Sequence, residues 1–370
     1  MKTLGVRRGE TGMTMGGTVI GIDGHLDLAM NALLWNRDLR QSVQTIREQE
    51  RGMTQKGRGG GTVSFPELRR AEVAVCLATV IARTNPAGGA GLDFRTREIA
   101  YAQAQGQLAY YRELQRQGVL RLLTDWPALQ RHMADWRADP TTTPLGIILC
   151  MEGADPIVEP DQIASWWEDG LRVVSLAHYG KSAYAYGTGV LGPLTDEGRA
   201  LLDRMAARGV ILDVTHLCDE SFWEAVERFP GPLLASHSNC RALVPDERQF
   251  ADDQLKLLIA RDAVIGSVLD AWMLCPGWIR GETKPEVVGL DAFVDQIDHV
   301  CQLAGNSRHA AIGTDLDGGY GTEQVPRDLD TIVDLQQVPA MLQARGYTSD
   351  DIAAIFHGNW LRLFERVWNA

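Results

Sequence analysis

The chain lacks several features that would place it outside the soluble enzymes. Its six cysteines, Cys76, Cys150, Cys218, Cys240, Cys275 and Cys301, never fall into C-x-x-C spacing and mostly lie in or beside apolar runs. That argues against a thiolate zinc site or a disulfide framework and predicts buried free thiols. Basic residues are in deficit, 36 Lys and Arg against 48 Asp and Glu, for a formal charge of -12. Nucleic acid and anionic membranes both require a basic face, so neither is expected as a partner. No apolar run is long enough to span a membrane, and Met1 to Gly17 lacks the apolar centre of a secretory signal. These absences predict a cytoplasmic enzyme, with residues 1–17 as a flexible or peripheral segment. A Pro- or Ser-rich linker is also missing, so the 370 residues read as one domain, 1–370. The Gly57-Arg58-Gly59-Gly60-Gly61 stretch lacks the Lys-Ser/Thr of a phosphate loop and reads as a flexible connection.

What is present is a repeated unit. Eight short apolar runs, each ending in polar residues, are Thr18 to Leu28, Glu72 to Ile81, Leu145 to Glu152, Leu171 to His178, Val210 to His216, Pro232 to His237, Ala263 to Asp270 and His309 to Asp315. Runs of this kind are the pattern of parallel strands buried on both faces. Helical patterns separate most of them, among them Thr195 to Arg208, Glu220 to Phe229, Asp252 to Arg261 and Leu290 to Gly305. Eight strands alternating with helices predict an α/β fold of (β/α)8 TIM-barrel type, which reaches this length as a single unit. Ile99 to Leu120 and Leu122 to Arg137 read as helical insertions. Asp328 to Arg345 and Ser349 to Trp368 read as closing helices, with Gly358-Asn359-Trp360 as a packing feature.

The polar residues at the run ends carry the chemistry. His25 and Asp27 stand two apart in the first strand, so their side chains project to the same side and can reach one cation. Glu152, His178, His216, His237 and Asp315 close later runs. Polar side chains at the carboxyl end of a barrel strand face the site, and all seven of these residues fall there. Imidazoles and carboxylates without a thiolate suit zinc or another borderline divalent ion, and a bridging carboxylate would allow two.

The motifs around these residues resemble the renal (membrane) dipeptidase family, peptidase family M19. They are His25-Leu26-Asp27, Met151-Glu152-Gly153, Leu176-Ala177-His178, Asp213-Val214-Thr215-His216, Ala235-Ser236-His237-Ser238-Asn239-Cys240-Arg241-Ala242 and Gly313-Thr314-Asp315-Leu316-Asp317-Gly318. The resemblance runs from about Ile20 to Phe364 and implies a barrel of the metal-dependent amidohydrolase type with two Zn2+ ions, Co2+ and Mn2+ being alternatives. His25 and Asp27 would bind the first ion, His216 and His237 the second, and Glu152 would bridge them. His178 would stabilise the developing oxyanion, and Asp315 would move a proton between hydroxide and leaving amine. Arg248 matches the arginine that pairs with the free carboxylate of a dipeptide, with Arg241 as the alternative. The implied activity is hydrolysis of small dipeptides, those with a C-terminal D-residue included, by attack of a metal-bridging hydroxide. The alternative is another amidohydrolase chemistry, N-acyl amino acid deacylase or lactonase, on the same dinuclear site. A homodimer is also implied. The chain departs from the family after Glu152-Gly153, where it reads Ala154-Asp155-Pro156, and in the aromatic loop Tyr179 to Gly187; both departures bear on substrate preference.

Overall fold

Parallel strands form at all eight runs: β1 Gly21–Leu26, β2 Val73–Ile81, β3 Leu145–Glu152, β4 Leu171–Ser175, β5 Ile211–Asp213, β6 Leu233–Ala235, β7 Val264–Ser267 and β8 Ala310–Ile312. The structure is a computed structural model and describes residues 17–89 and 91–369. The expectation for residues 1–17 therefore falls, apart from Gly17, outside the described residues. Each strand pairs in parallel with the next from β1 to β8, and every residue in these eight strands is buried. Together they make a nearly closed (β/α)8 barrel.

The remaining seam, between β8 and β1, is held by a side chain. The Asp23 carboxylate on β1 accepts the Thr314 N–H at 2.8 Å and the Thr314 hydroxyl at 2.6 Å. The Asp315 N–H donates to the His25 carbonyl at 3.3 Å. Trp360 is fully buried below this seam, and its indole N–H donates to the Ile312 carbonyl at 3.0 Å. Glycines let the interior close. A Cβ on Gly266 or Gly313 would lie 2.1 or 1.9 Å from the Ser236 carbonyl oxygen, so no larger residue fits where these strands converge.

Helices Asp196–Ala206, Asp219–Arg228, Asp252–Ala260 and Leu290–Ala304 fill the expected connections. Three differences from the sequence reading have local causes. Strands β4 to β8 all stop before their runs do, because the chain must leave the ladder to turn His178, His216, His237, Asp270 and Asp315 into the rim. His216 and Asp315 adopt left-handed φ values of 69° and 56°, which a ladder does not accept. Leu120–Leu122, expected where two inserted helices meet, is a short strand hydrogen-bonded to β3. The glycine stretch is tied down, with Gly57 and Gly59 donating to Glu323 and Glu50 at 3.0 and 2.8 Å. Among the described residues, no helix is long and apolar enough to cross a membrane.

Candidate metal centre

Glu152 ends β3 opposite Ile81 of β2, at the carboxyl rim of the barrel. Its two oxygens face different partners. Oε2 lies 3.6 Å from His25 Nε2, whereas Oε1 lies 3.3 Å from His216 Nε2, 3.5 Å from His237 Nε2 and 3.6 Å from His178 Nε2. His25 Nε2 is also 3.8 Å from Asp27 Oδ1 and 3.7 Å from Asp315 Oδ1. The structure thus brings together at one rim all seven residues, from six separate stretches of the chain.

Three overlapping groups could each hold an ion: His25, Asp27 and Glu152; His25, His237 and Asp315; and Glu152, His178 and His216. The donor set fits a cation for a reason internal to the structure. His25 Nε2 is buried and has no hydrogen-bond partner among the described residues, an arrangement costly enough to need a ligand. Burial works against charge on His25, but Glu152, Asp27 and Asp315 around it push its pKa up to about 10. Three carboxylates therefore create a place for positive charge. Burial, reinforced by Glu152, raises Asp27 to about 6, and burial raises Asp315 well above the usual carboxylate range. Burial would raise Glu152 too, but His178, His25 and His216 hold it well below.

The remaining imidazoles are kept neutral, as metal ligands must be. Burial, aided by Arg248, lowers His216 and His237 well below the ordinary histidine value. Their tautomers are set by hydroxyls. The Thr188 hydroxyl lies 3.4 Å from the His216 carbonyl as donor and 2.9 Å from His216 Nδ1, so it is placed to accept the Nδ1 proton. Ser236 donates its hydroxyl to Asp213 at 2.5 Å and stands 2.9 Å from His237 Nδ1 in the same accepting role. Both Nε2 lone pairs are then left facing the cluster. The Thr79 hydroxyl donates to Asp27 and fixes that carboxylate.

His178 is oriented the other way. Arg83 Nη1 lies 3.3 Å from its Nδ1, and because a guanidinium can only donate, the ring proton belongs on Nε2. Burial lowers the pKa of His178 to about 4, so it is a neutral N–H donor aimed into the cavity. That cavity, about 200 Å³, is bounded by Asp27, Glu152, His178, His216 and Asp315 on its floor and by Tyr179, Arg248, Asp270, Trp272 and Met273 on its walls. Arg248 is buried and steadied by the His237 carbonyl at 2.9 Å. Arg241 does not line this cavity. Its fork is closed on Asp219 at 2.8 and 2.7 Å, holding the loop after β6 to the helix Asp219–Arg228.

Sequence reasoning passed over Arg83, Thr188 and Asp270. Asp270 carried a usable signal, since it closes the seventh apolar run as the other site residues close theirs. Thr188 carried none, because it reaches His216 from the loop after β4.

Residues 15–370 match a model of the family described as membrane dipeptidase (peptidase family M19). An uncharacterised protein from the pqqA 5' region of Klebsiella pneumoniae is 28% identical over 235 residues, 60% of this chain and 83% of its own. The fold is similar to that of dipeptidase AC, a family M19 metallopeptidase, with a TM-score of 0.77 and 22% identity over 96% of this chain and 100% of that one. It is also similar to a Rhodobacter sphaeroides metallopeptidase solved with a phosphinate mimic of the dipeptide L-Ala-D-Ala. That match has a TM-score of 0.76 and 20% identity, over 95% of this chain and 100% of the other.

Proposed function

Because the chain belongs to peptidase family M19, the membrane dipeptidases, and is thus a metallodipeptidase, we propose that it is a dinuclear zinc enzyme cleaving the single peptide bond of small dipeptides. The division of Glu152 carries this reading, one oxygen toward His25 and the other toward His216 and His237. His25 and Asp27 would hold one ion, His216 and His237 the other, and Glu152 both. When bound, the two ions supply a hydroxide at neutral pH and polarise the scissile carbonyl.

The chain's own groups account for the rest. The His178 Nε2 proton points where negative charge grows on the carbonyl oxygen, and it does so without the cost of an added charge. Asp315 is a buried carboxyl raised above the usual carboxylate range, placed to accept the proton of the attacking hydroxide and pass it to the departing nitrogen. Arg248 presents a guanidinium to the substrate carboxylate, which limits the substrate to two residues. The dipeptide mimic held by the Rhodobacter sphaeroides relative supports including substrates with a C-terminal D-residue.

The test is metal analysis of the purified protein together with rates on L,L and L,D dipeptides, N-acyl amino acids and lactones. Two equivalents of zinc and preference for dipeptides are expected. Faster turnover of the acyl amino acids or lactones would move the activity to the alternative chemistry, and a single equivalent would remove the bridging role of Glu152. Replacing Asp315→Asn should lower kcat by roughly 100- to 10,000-fold with metal content intact; unchanged kcat would remove its proton-transfer role.

A further inference from the structure

The active cavity contains a carboxylate that the proposed hydrolysis does not use. Asp270 follows β7 and is buried in the cavity wall. Its Oδ1 accepts the Gln324 side-chain amide at 2.7 Å and the Trp272 N–H at 3.4 Å. Its Oδ2 receives no hydrogen bond among the described residues, yet it is not sealed away from the cavity. Two cations, Lys56 and Arg280, are close enough to favour its charge, but neither forms an ion pair with it. Arg280 is engaged elsewhere, over the Trp272 ring at 4.1 Å and donating to the Tyr179 hydroxyl at 3.0 Å.

The order of strands decides what reaches Asp270. Arg248 follows β6, Asp270 follows β7 and Asp315 follows β8, and these strands are neighbours in the barrel. In the dipeptidase reading the C-terminal residue of a dipeptide would have its carboxylate at Arg248 and its nitrogen, the leaving group, at Asp315. In one of the two configurations at its Cα the side chain would then face the wall that Asp270 supplies.

We propose that Asp270 is a specificity-determining residue that selects dipeptides whose C-terminal residue carries a cationic amine side chain, such as ornithine or lysine. This rests on the dipeptidase reading above. A desolvated carboxylate with one oxygen committed and one open favours a charged donor over an apolar group, since the apolar group leaves that oxygen unpaired. Burial raises the pKa of Asp270 to about 6, so it is ionised at neutral pH while gaining from a cation.

The experiment compares kcat/KM for Ala-ornithine and Ala-lysine with that for Ala-norvaline and Ala-norleucine, in both configurations of the second residue, on zinc-loaded enzyme. We expect the charged member of each pair to be preferred by at least about tenfold in one configuration, consistent with a charge-assisted hydrogen bond. Asp270→Asn keeps the Oδ1 bonds and should bring that ratio near one. Asp270→Glu should retain part of it. If Asp270 only caps the turn Ala271–Met273, Asp270→Asn will slow both members alike and leave the ratio unchanged, which overturns the proposal. Turnover of the neutral dipeptides with no charge preference in the wild type also overturns it and leaves the dipeptidase reading standing. No turnover of any dipeptide overturns both.

Discussion

His216 Nε2 and His237 Nε2 stand 3.2 Å apart, with both rings kept neutral by burial and both Nδ1 atoms facing a hydroxyl. Thr188 and Ser236 therefore direct two lone pairs at each other, an arrangement that a cation between them relieves. Thr188→Val removes the hydroxyl with little change of shape. Zinc affinity, measured by competition with a chelator, should fall roughly 10- to 100-fold, the usual effect of losing a ligand's outer hydrogen bond. Thr188→Ser should restore most of it. Equal affinity in Thr188→Val and wild type would show that the hydroxyl does not set the tautomer.

Arg248 should act on binding more than on the chemical step. Replacing Arg248→Lys keeps the charge and loses the planar fork. KM for a dipeptide should rise roughly 10- to 100-fold with kcat much less affected, as expected for a charge-assisted hydrogen bond made equally in substrate and transition state. The same dipeptide blocked as a C-terminal amide should be a poor substrate for both proteins. If Arg248→Lys loses as much on the amide as on the free acid, the arginine serves to support the His237 carbonyl instead.

How much of the site was legible from sequence depended on whether a residue's role was local. His25 and Glu152 lie on strands and Asp27 directly follows the end of β1, so the strand period was enough to put their side chains at the rim. His178, His216, His237 and Asp315 were found as run ends even though the chain has left the ladder at each of them. The choice between Arg248 and Arg241 was not legible. Both follow β6, and only the tertiary pairing of Arg241 with Asp219 removes it from the cavity. Nor was the way the seam is held, since nothing in a run of Val, Ile and Ala indicates that Asp23 will bind Thr314 across it. The eight-strand order was legible because buried parallel strands must be apolar on both faces.

The glycines at the convergence of the strands should be intolerant of even one methyl group. Gly266→Ala places a Cβ 2.1 Å from the Ser236 carbonyl oxygen, which is backbone and cannot swing aside. Destabilisation of about 3 kcal/mol, the upper end for overpacking, is expected in urea unfolding. Because Ser236 precedes His237, zinc affinity should fall as well. Gly106 is the contrasting case: it lies in the helix Arg97–Arg116 with open space around its Cβ position. Gly106→Ala should stabilise by about 0.5–1 kcal/mol. Similar stability in Gly266→Ala and wild type would mean that the strands can part where they now touch.

Three histidines outside the site give the fold an acid dependence of its own. Ring nitrogens of His132, His309 and His357 lie 2.9 Å from the carbonyls of Ala74, Ala263 and Ile20 respectively, at the ends of the barrel strands away from the metal centre. Burial lowers all three below the ordinary value of 6.5. Below that value the unfolded chain binds more protons than the folded one, so stability falls with falling pH until each histidine also titrates in the folded state. Their contribution is complete above about pH 6.5 and is lost as pH drops from there. His357→Gln preserves a donor for the Ile20 carbonyl and cannot titrate. Unfolding in urea at pH 7.5 and 5.0, with chelator in both proteins, cancels the effect of metal loss. The variant should lose less stability than the wild type between the two pH values; an equal loss would show that His357 titrates alike in the folded and unfolded chains.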